Sequence, residues 1–218
     1  MDLFIFVLNI IGTIAFATSG AILAIEKRMD VFGVIVLGIV TAVGGGYIRD
    51  ITLGHFPPEM FKTPIFTIIA ISVAIILFIP GIRKIFLKNQ TVYDTVIFIM
   101  DSIGLGAFTV LGVTYSMRAG FDGLFLNLFV GTITGVGGGV LRDIFACEMP
   151  CIFRKHIYAC ASTAGALITY LLYYVAHAWW VAVAGVISIF IIRCFSAYFR
   201  WNLPLASDKN EPITKKGD

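Results

Sequence analysis

Charge is scarce in this 218-residue chain. Asp, Glu, Lys and Arg make up 13% of it, about half the share found in a soluble globular domain. With 59% hydrophobic residues and a mean hydropathy of +0.94, the chain reads as an integral membrane protein. A net charge of +3 is too small to point to nucleic acid. The four cysteines, Cys147, Cys151, Cys160 and Cys194, lack the spacing of a disulfide framework and read as reduced, inert thiols. Cys147, Cys151, His156 and Cys160 could be drawn as a metal set. Pro150 interrupts that spacing and no second shell accompanies it, so no metal and no other cofactor is expected. His55, His156 and His177 all fall at connections, without the order of a Ser-His-Asp triad. There is no phosphate loop, because the glycine clusters lead into Arg-Asp instead of Lys-Ser or Lys-Thr. Enzymatic chemistry is therefore not expected. Short alternating segments, the mark of a membrane β-barrel, are missing too.

What is present is a series of apolar runs, at 3–25, 31–48, 64–82, 92–117, 123–141, 157–176 and 178–199. Each suits a helix crossing a hydrocarbon layer of about 30 Å, which takes roughly 20 residues. The first run is long and follows Asp2, with no basic segment ahead of it, so it reads as retained and not as a cleaved signal. Trp179, Trp180 and Trp201 sit near run ends, where aromatic anchors belong, and Arg193 is expected to snorkel toward the nearer surface.

One phrase occurs twice. Residues 41–50 read Thr-Ala-Val-Gly-Gly-Gly-Tyr-Ile-Arg-Asp, and residues 134–143 read Thr-Gly-Val-Gly-Gly-Gly-Val-Leu-Arg-Asp. Three glycines cost a helix about 1 kcal/mol each relative to alanine and leave the backbone bare. Inside a bilayer, freed backbone groups must face protein or a water-filled cavity. The triplets Gly44, Gly45, Gly46 and Gly137, Gly138, Gly139 are expected to break their helices and line a polar passage with backbone groups. The plainer alternative is that they only let helices pack closely. Thr41 and Thr134 either offer hydroxyls to the passage or bond their own helix backbone. Arg49–Asp50 and Arg142–Asp143 read either as charged gates or as structural pairs at helix ends.

The repeat extends further. Asn9-x-x-Gly12-x-x-Ala15-Phe16-x-x-x-Gly20 matches Asp101-x-x-Gly104-x-x-Ala107-Phe108-x-x-x-Gly112, which adds Asn9 and Asp101 to the candidate passage, and Pro57 falls on Pro150. The chain thus divides into a three-helix unit at 1–88, a second at 89–176, a seventh helix at 177–202 and a disordered polar tail at 203–218. Three helices per unit invert the second copy in the membrane. Placing the N-terminus outside puts Lys27, Arg28, Arg83, Lys84, Lys88, Arg154, Lys155 and the basic tail inside, leaving Lys62 and Arg118 outside. The positive-inside rule selects that orientation, with the C-terminus in the cytoplasm. The expected fold is all-α and integral to the membrane, with seven transmembrane helices as two inverted three-helix repeats plus one.

The duplicated Gly-Gly-Gly-x-x-Arg-Asp phrase and the Asn/Asp-x-x-Gly-x-x-Ala-Phe starts resemble the prokaryotic members of the trimeric intracellular cation channel (TRIC) family, over about residues 1–200. The resemblance implies a homotrimer with a pore for K⁺ and Na⁺ in each subunit, and helices kinked at Gly44–Gly46 and Gly137–Gly139. The phosphoinositide bound by animal members is not carried over to this short-looped chain. Related bacterial sequences have been assigned to glycine uptake, so a carrier for glycine or another small neutral amino acid is the alternative function. No carbonyl-ring filter of the Thr-Val-Gly-Tyr-Gly type is present, so sharp K⁺ selectivity is not expected.

Overall fold

The computed structural model describes residues 3–154 and 157–199, without the side chains of residues 85, 87 and 154. Lys155, His156, Arg200, Trp201 and the expected tail at 203–218 lie outside the described residues. The secondary structure of the described residues is α-helical: α1 (Leu3–Glu26), α2 (Val31–Thr52), α3 (Glu59–Lys62), α4 (Ile65–Phe78) and α5 (Pro80–Lys88). The second half follows with α6 (Gln90–Arg118), α7 (Leu124–Phe145), α8 (Cys151–Arg154), α9 (Ile157–Leu172) and α10 (Ala178–Tyr198). Five of these, α1, α2, α6, α7 and α10, are long and apolar enough to cross a membrane, and α4 and α9 are shorter apolar helices.

The boundaries have local causes. Asp30 caps α2 by accepting the N–H of Gly33 at 2.7 Å, and Asn89 caps α6 by accepting those of Thr91 and Val92. The apolar run at 64–82 is not one helix. Pro80 lacks an N–H and pushes Ile79 to an extended conformation, so α4 stops at 14 residues and α5 begins anew.

Packing follows the repeat. α1 lies against α2, α4 and α6, while α6 lies against α7, α9 and α1; α2 crosses α7; α10 covers α6 and α9. Phe16 and Phe108, equivalent positions of the two copies, stack at 5.3 Å in the middle of the α1–α6 contact. At one end of that contact the Tyr93 hydroxyl donates to Glu26 at 2.9 Å; at the other, Asn9 lies within hydrogen-bonding reach of Tyr115. The helices therefore run antiparallel.

Neither glycine triplet breaks its helix: α2 and α7 continue through both as α-helix. The bare backbone is used for a close crossing instead. A β-carbon on Gly45 would collide with the Thr134 carbonyl oxygen, and one on Gly138 with the Thr41 carbonyl oxygen. The contact is reciprocal, each copy presenting the same glycine to the same carbonyl of the other. Close packing of small residues, which in membranes replaces the missing hydrophobic drive between helices, accounts for the middle of both phrases. Thr41 and Thr134 are fully buried and donate to their own helices, to Leu37 and Val130 carbonyls at 2.6 Å each.

Candidate functional site

The antiparallel arrangement puts the two Arg-Asp pairs at opposite ends of the bundle. At the first end Arg49, 3% exposed, donates through Nε to Asp50 Oδ1 at 2.8 Å, with Nη2 at 2.6 Å. The other Asp50 oxygen accepts the N–H of Glu59 at the start of α3, at 2.8 Å. The face of the guanidinium lies 3.8 Å from the centre of the Tyr115 ring, a close cation–π contact. Asn9 gives its amide to its own helix, to the Ile5 carbonyl at 3.0 Å.

At the second end the same frame recurs. Arg142 Nε donates to Asp143 Oδ1 at 2.9 Å, and Asp143 Oδ2 accepts the Cys151 N–H at 2.7 Å where α8 begins. The additions are large. Arg142 Nη1 donates to Asp101 Oδ1 at 2.9 Å and to the Ser19 hydroxyl. Tyr158 donates to the same Asp101 oxygen at 3.3 Å, and Arg193 Nη1 donates to Asp101 Oδ2 at 2.8 Å. Arg193 does not snorkel to the surface. It is 6% exposed and points into the bundle, because Asp101 offers a buried carboxylate within reach. Ser19, Tyr115, Tyr158 and Arg193 were not marked by the repeated phrase. Arg193 alone had a signal, as an arginine inside an apolar run.

A cavity enters at each end. The first is walled by Asn9, Thr13, Gly46, Arg49, Asp50 and Phe108 among others. The second is walled by Glu26, Tyr93, Asp94, Arg142, Asp143 and Glu148 among others. Four carboxylates thus face one guanidinium in the second cavity. Lys27 pairs with Glu148 at its mouth, and that carboxylate raises the lysine pKa above its ordinary value. Along α1 the order is Asn9, Thr13, Phe16, Leu23, Glu26, so Phe16 lies between the two cavities; no residue walls both. Gly44, Gly45, Gly137, Gly138, Gly139, Thr41, Thr134 and Asp101 are on neither wall. Among the described residues no three His, Cys, Asp or Glu side chains come together as a metal-binding group.

The chain is similar to several known proteins. A family profile described as "Glycine transporter" matches residues 6–80 and 98–174, the two copies separately. The UPF0126 inner membrane protein YadS of Escherichia coli is 38% identical over 208 residues, covering 93% of this chain and 97% of the relative. The UPF0126 membrane protein YvgT of Bacillus subtilis is 35% identical over 202 residues, covering 90% and 94%. Among solved structures, the TRIC trimeric intracellular cation channel orthologue from Rhodobacter sphaeroides superposes with a TM-score of 0.83 at 30% identity, covering 92% of this chain and all of that one. A prokaryotic TRIC channel crystallised in KCl gives 0.82 at 31%, covering 93% and 100%. With the duplicated phrase, the two-ended site and these relatives in agreement, the chain belongs to the prokaryotic TRIC family of multi-pass membrane proteins, to which the glycine-transporter profile and the UPF0126 relatives also attach.

Proposed function

We propose that this chain is a cation channel of a prokaryotic inner membrane, a homotrimer in which each subunit encloses its own passage for K⁺ and Na⁺. The observation that carries this reading is the pair of cavities entering from opposite ends, each reaching a buried Arg-Asp pair on α2 or α7. Their walls hold more carboxylates than cations, which favours entry of positive ions. Arg49–Asp50 and Arg142–Asp143 act as gates at the two ends. Phe16, Phe108 and the glycine crossing close the space between, so the arrangement described is a shut one. Gly44–Gly46 and Gly137–Gly139 shape the passage by bringing α2 and α7 together, with Thr41 and Thr134 inside the crossing. Asn9 and Asp101 are the polar groups behind the gates.

Seven spans, counting α4 and α9, with the two units inserted in opposite senses, agree with the antiparallel α1–α6 pair and the reciprocal α2–α7 crossing. The structural relatives support the trimer and the cation class, one being a TRIC cation channel and another a trimeric intracellular cation channel orthologue. Purified protein in planar bilayers under a K⁺ gradient should give unitary currents indifferent to glycine. Saturable uptake of labelled glycine into liposomes without such currents would replace the channel by a carrier. A cysteine introduced at Asp2 should react from outside the cell; reaction only after permeabilisation inverts the topology.

A further inference from the structure

Asp101 stands where the first copy has Asn9, so the second end carries an extra buried negative charge. The balancing charge comes from outside the duplicated unit. Arg193 belongs to α10, which packs on α6 and α9 and has no counterpart in the repeat. Its guanidinium holds Asp101 Oδ2 at 2.8 Å and lies 4.6 Å from the Tyr158 ring centre and 5.1 Å from that of Phe98. Asp101 Oδ1 is left for Arg142 and Tyr158. Arg142 and Phe98 are the members of this group on the wall of the second cavity, and Arg142 is the one bonded to Asp101.

We propose that Arg193 is a positioning residue through which α10 sets how firmly the Arg142 end stays shut. The inference rests on the conduction reading above. Arg193 saturates one carboxylate oxygen and turns the other toward Arg142, which is thereby held against Ser19 and Asp143. Remove Arg193, and a buried carboxylate oxygen loses its donor. Such a group is better satisfied by water, and water reaches it past Arg142 from the second cavity. A displacement of α10 relative to α6 would do the same reversibly. The first end has no equivalent control, because neutral Asn9 bonds its own helix and Arg49 is held by Asp50 and the Tyr115 ring. The seventh helix therefore governs one end only.

The test compares Arg193→Leu, Arg193→Lys and Arg193→Leu/Asp101→Asn with the unmodified protein, as assembled trimers in bilayers with K⁺ as the cation. Arg193→Leu should raise the ratio of open to shut time about tenfold, within the coupling range of contacting buried groups. Arg193→Lys should recover part of the shut state. The double variant copies the uncharged composition of the first end; it should regain whatever assembly the single variant loses while keeping the raised opening. Labelling of Cys151, on the wall of the second cavity, by a water-soluble thiol reagent should accelerate in Arg193→Leu, a readout that needs no current. Trimers that assemble less well but open and label as the unmodified protein would reduce Arg193 to a structural role and overturn the proposal. If the unmodified protein passes no current, the channel reading fails, and the Cys151 labelling rate alone decides whether Arg193 controls that end.

Discussion

The two copies of Gly-Gly-Gly-x-x-Arg-Asp share their letters and differ in their neighbours. Around Arg49 the arrangement is spare, with one carboxylate, one aromatic face and a neutral amide nearby. Around Arg142 it is dense, with two carboxylates, a second arginine, a serine and a tyrosine drawn from four further helices and turns. At both ends the arginines match in number the aspartates that they bond, so the difference lies in connectivity. Duplication fixes what a segment contains; divergence around it fixes how tightly that segment is held.

The sharpest way to break this comparison is Asp101→Ala. It strips Arg142 and Arg193 of a shared buried partner and should cost about 3–5 kcal/mol, the usual penalty for orphaning a buried charge. Asn9→Ala should cost only about 1 kcal/mol, as the loss of one neutral hydrogen bond. Thermal unfolding in detergent measures both, and equal losses would show the ends to be equally held. Next come Gly45→Ala and Gly138→Ala. Each drives a β-carbon into a facing carbonyl, and overpacking of this kind costs about 1–3 kcal/mol. The carbonyl clashes are reciprocal and a β-carbon on Gly138 also meets the Phe16 ring at 3.0 Å, so Gly138→Ala should cost at least as much as Gly45→Ala; a clearly larger loss at Gly45 would mean the crossing is not symmetric in energy.

Smaller again is the contrast between Gly139 and Gly46. A β-carbon on Gly139 would lie 2.6 Å from the Tyr158 hydroxyl, whereas on Gly46 the nearest atom is 3.8 Å away. Gly139→Ala should destabilise, while Gly46→Ala should be neutral or stabilise by up to about 1 kcal/mol through helix propensity. The smallest effect is expected at Lys27. Its raised pKa means that any contribution of the Glu148 pair is present at neutral pH and is lost only as pH rises through that raised value. Stability profiles of Lys27→Met and the unmodified protein should therefore be nearly superimposable, with any gap closing under strongly alkaline conditions.

Much of this was legible in the chain. Apolar run lengths placed the long helices to within a few residues. The role of the glycines was not legible, since a helix break and a close helix crossing both demand a missing β-carbon. Only the position of the facing carbonyls of Thr134 and Thr41 separates the two. Arg193 was misjudged because its place five residues from the end of α10 does not say which face it occupies. A charge count would have found it: replacing Asn9 by Asp101 at equivalent positions calls for one more buried cation, and Arg193 is the basic residue within the last apolar run.

The reciprocal crossing has a consequence for ancestry. At Gly45 and Gly138 each half offers the glycine that the other needs and the carbonyl that the other's glycine approaches. A joint of that kind is self-complementary, as in an isologous dimer. A three-helix chain with a single copy of the phrase already holds both sides of it, and can mate with an identical chain facing the other way. Fusion of two such chains would then tie the pair together without inventing a new surface, leaving each half free to acquire its own attachments afterwards, as Asp101 and α10 illustrate.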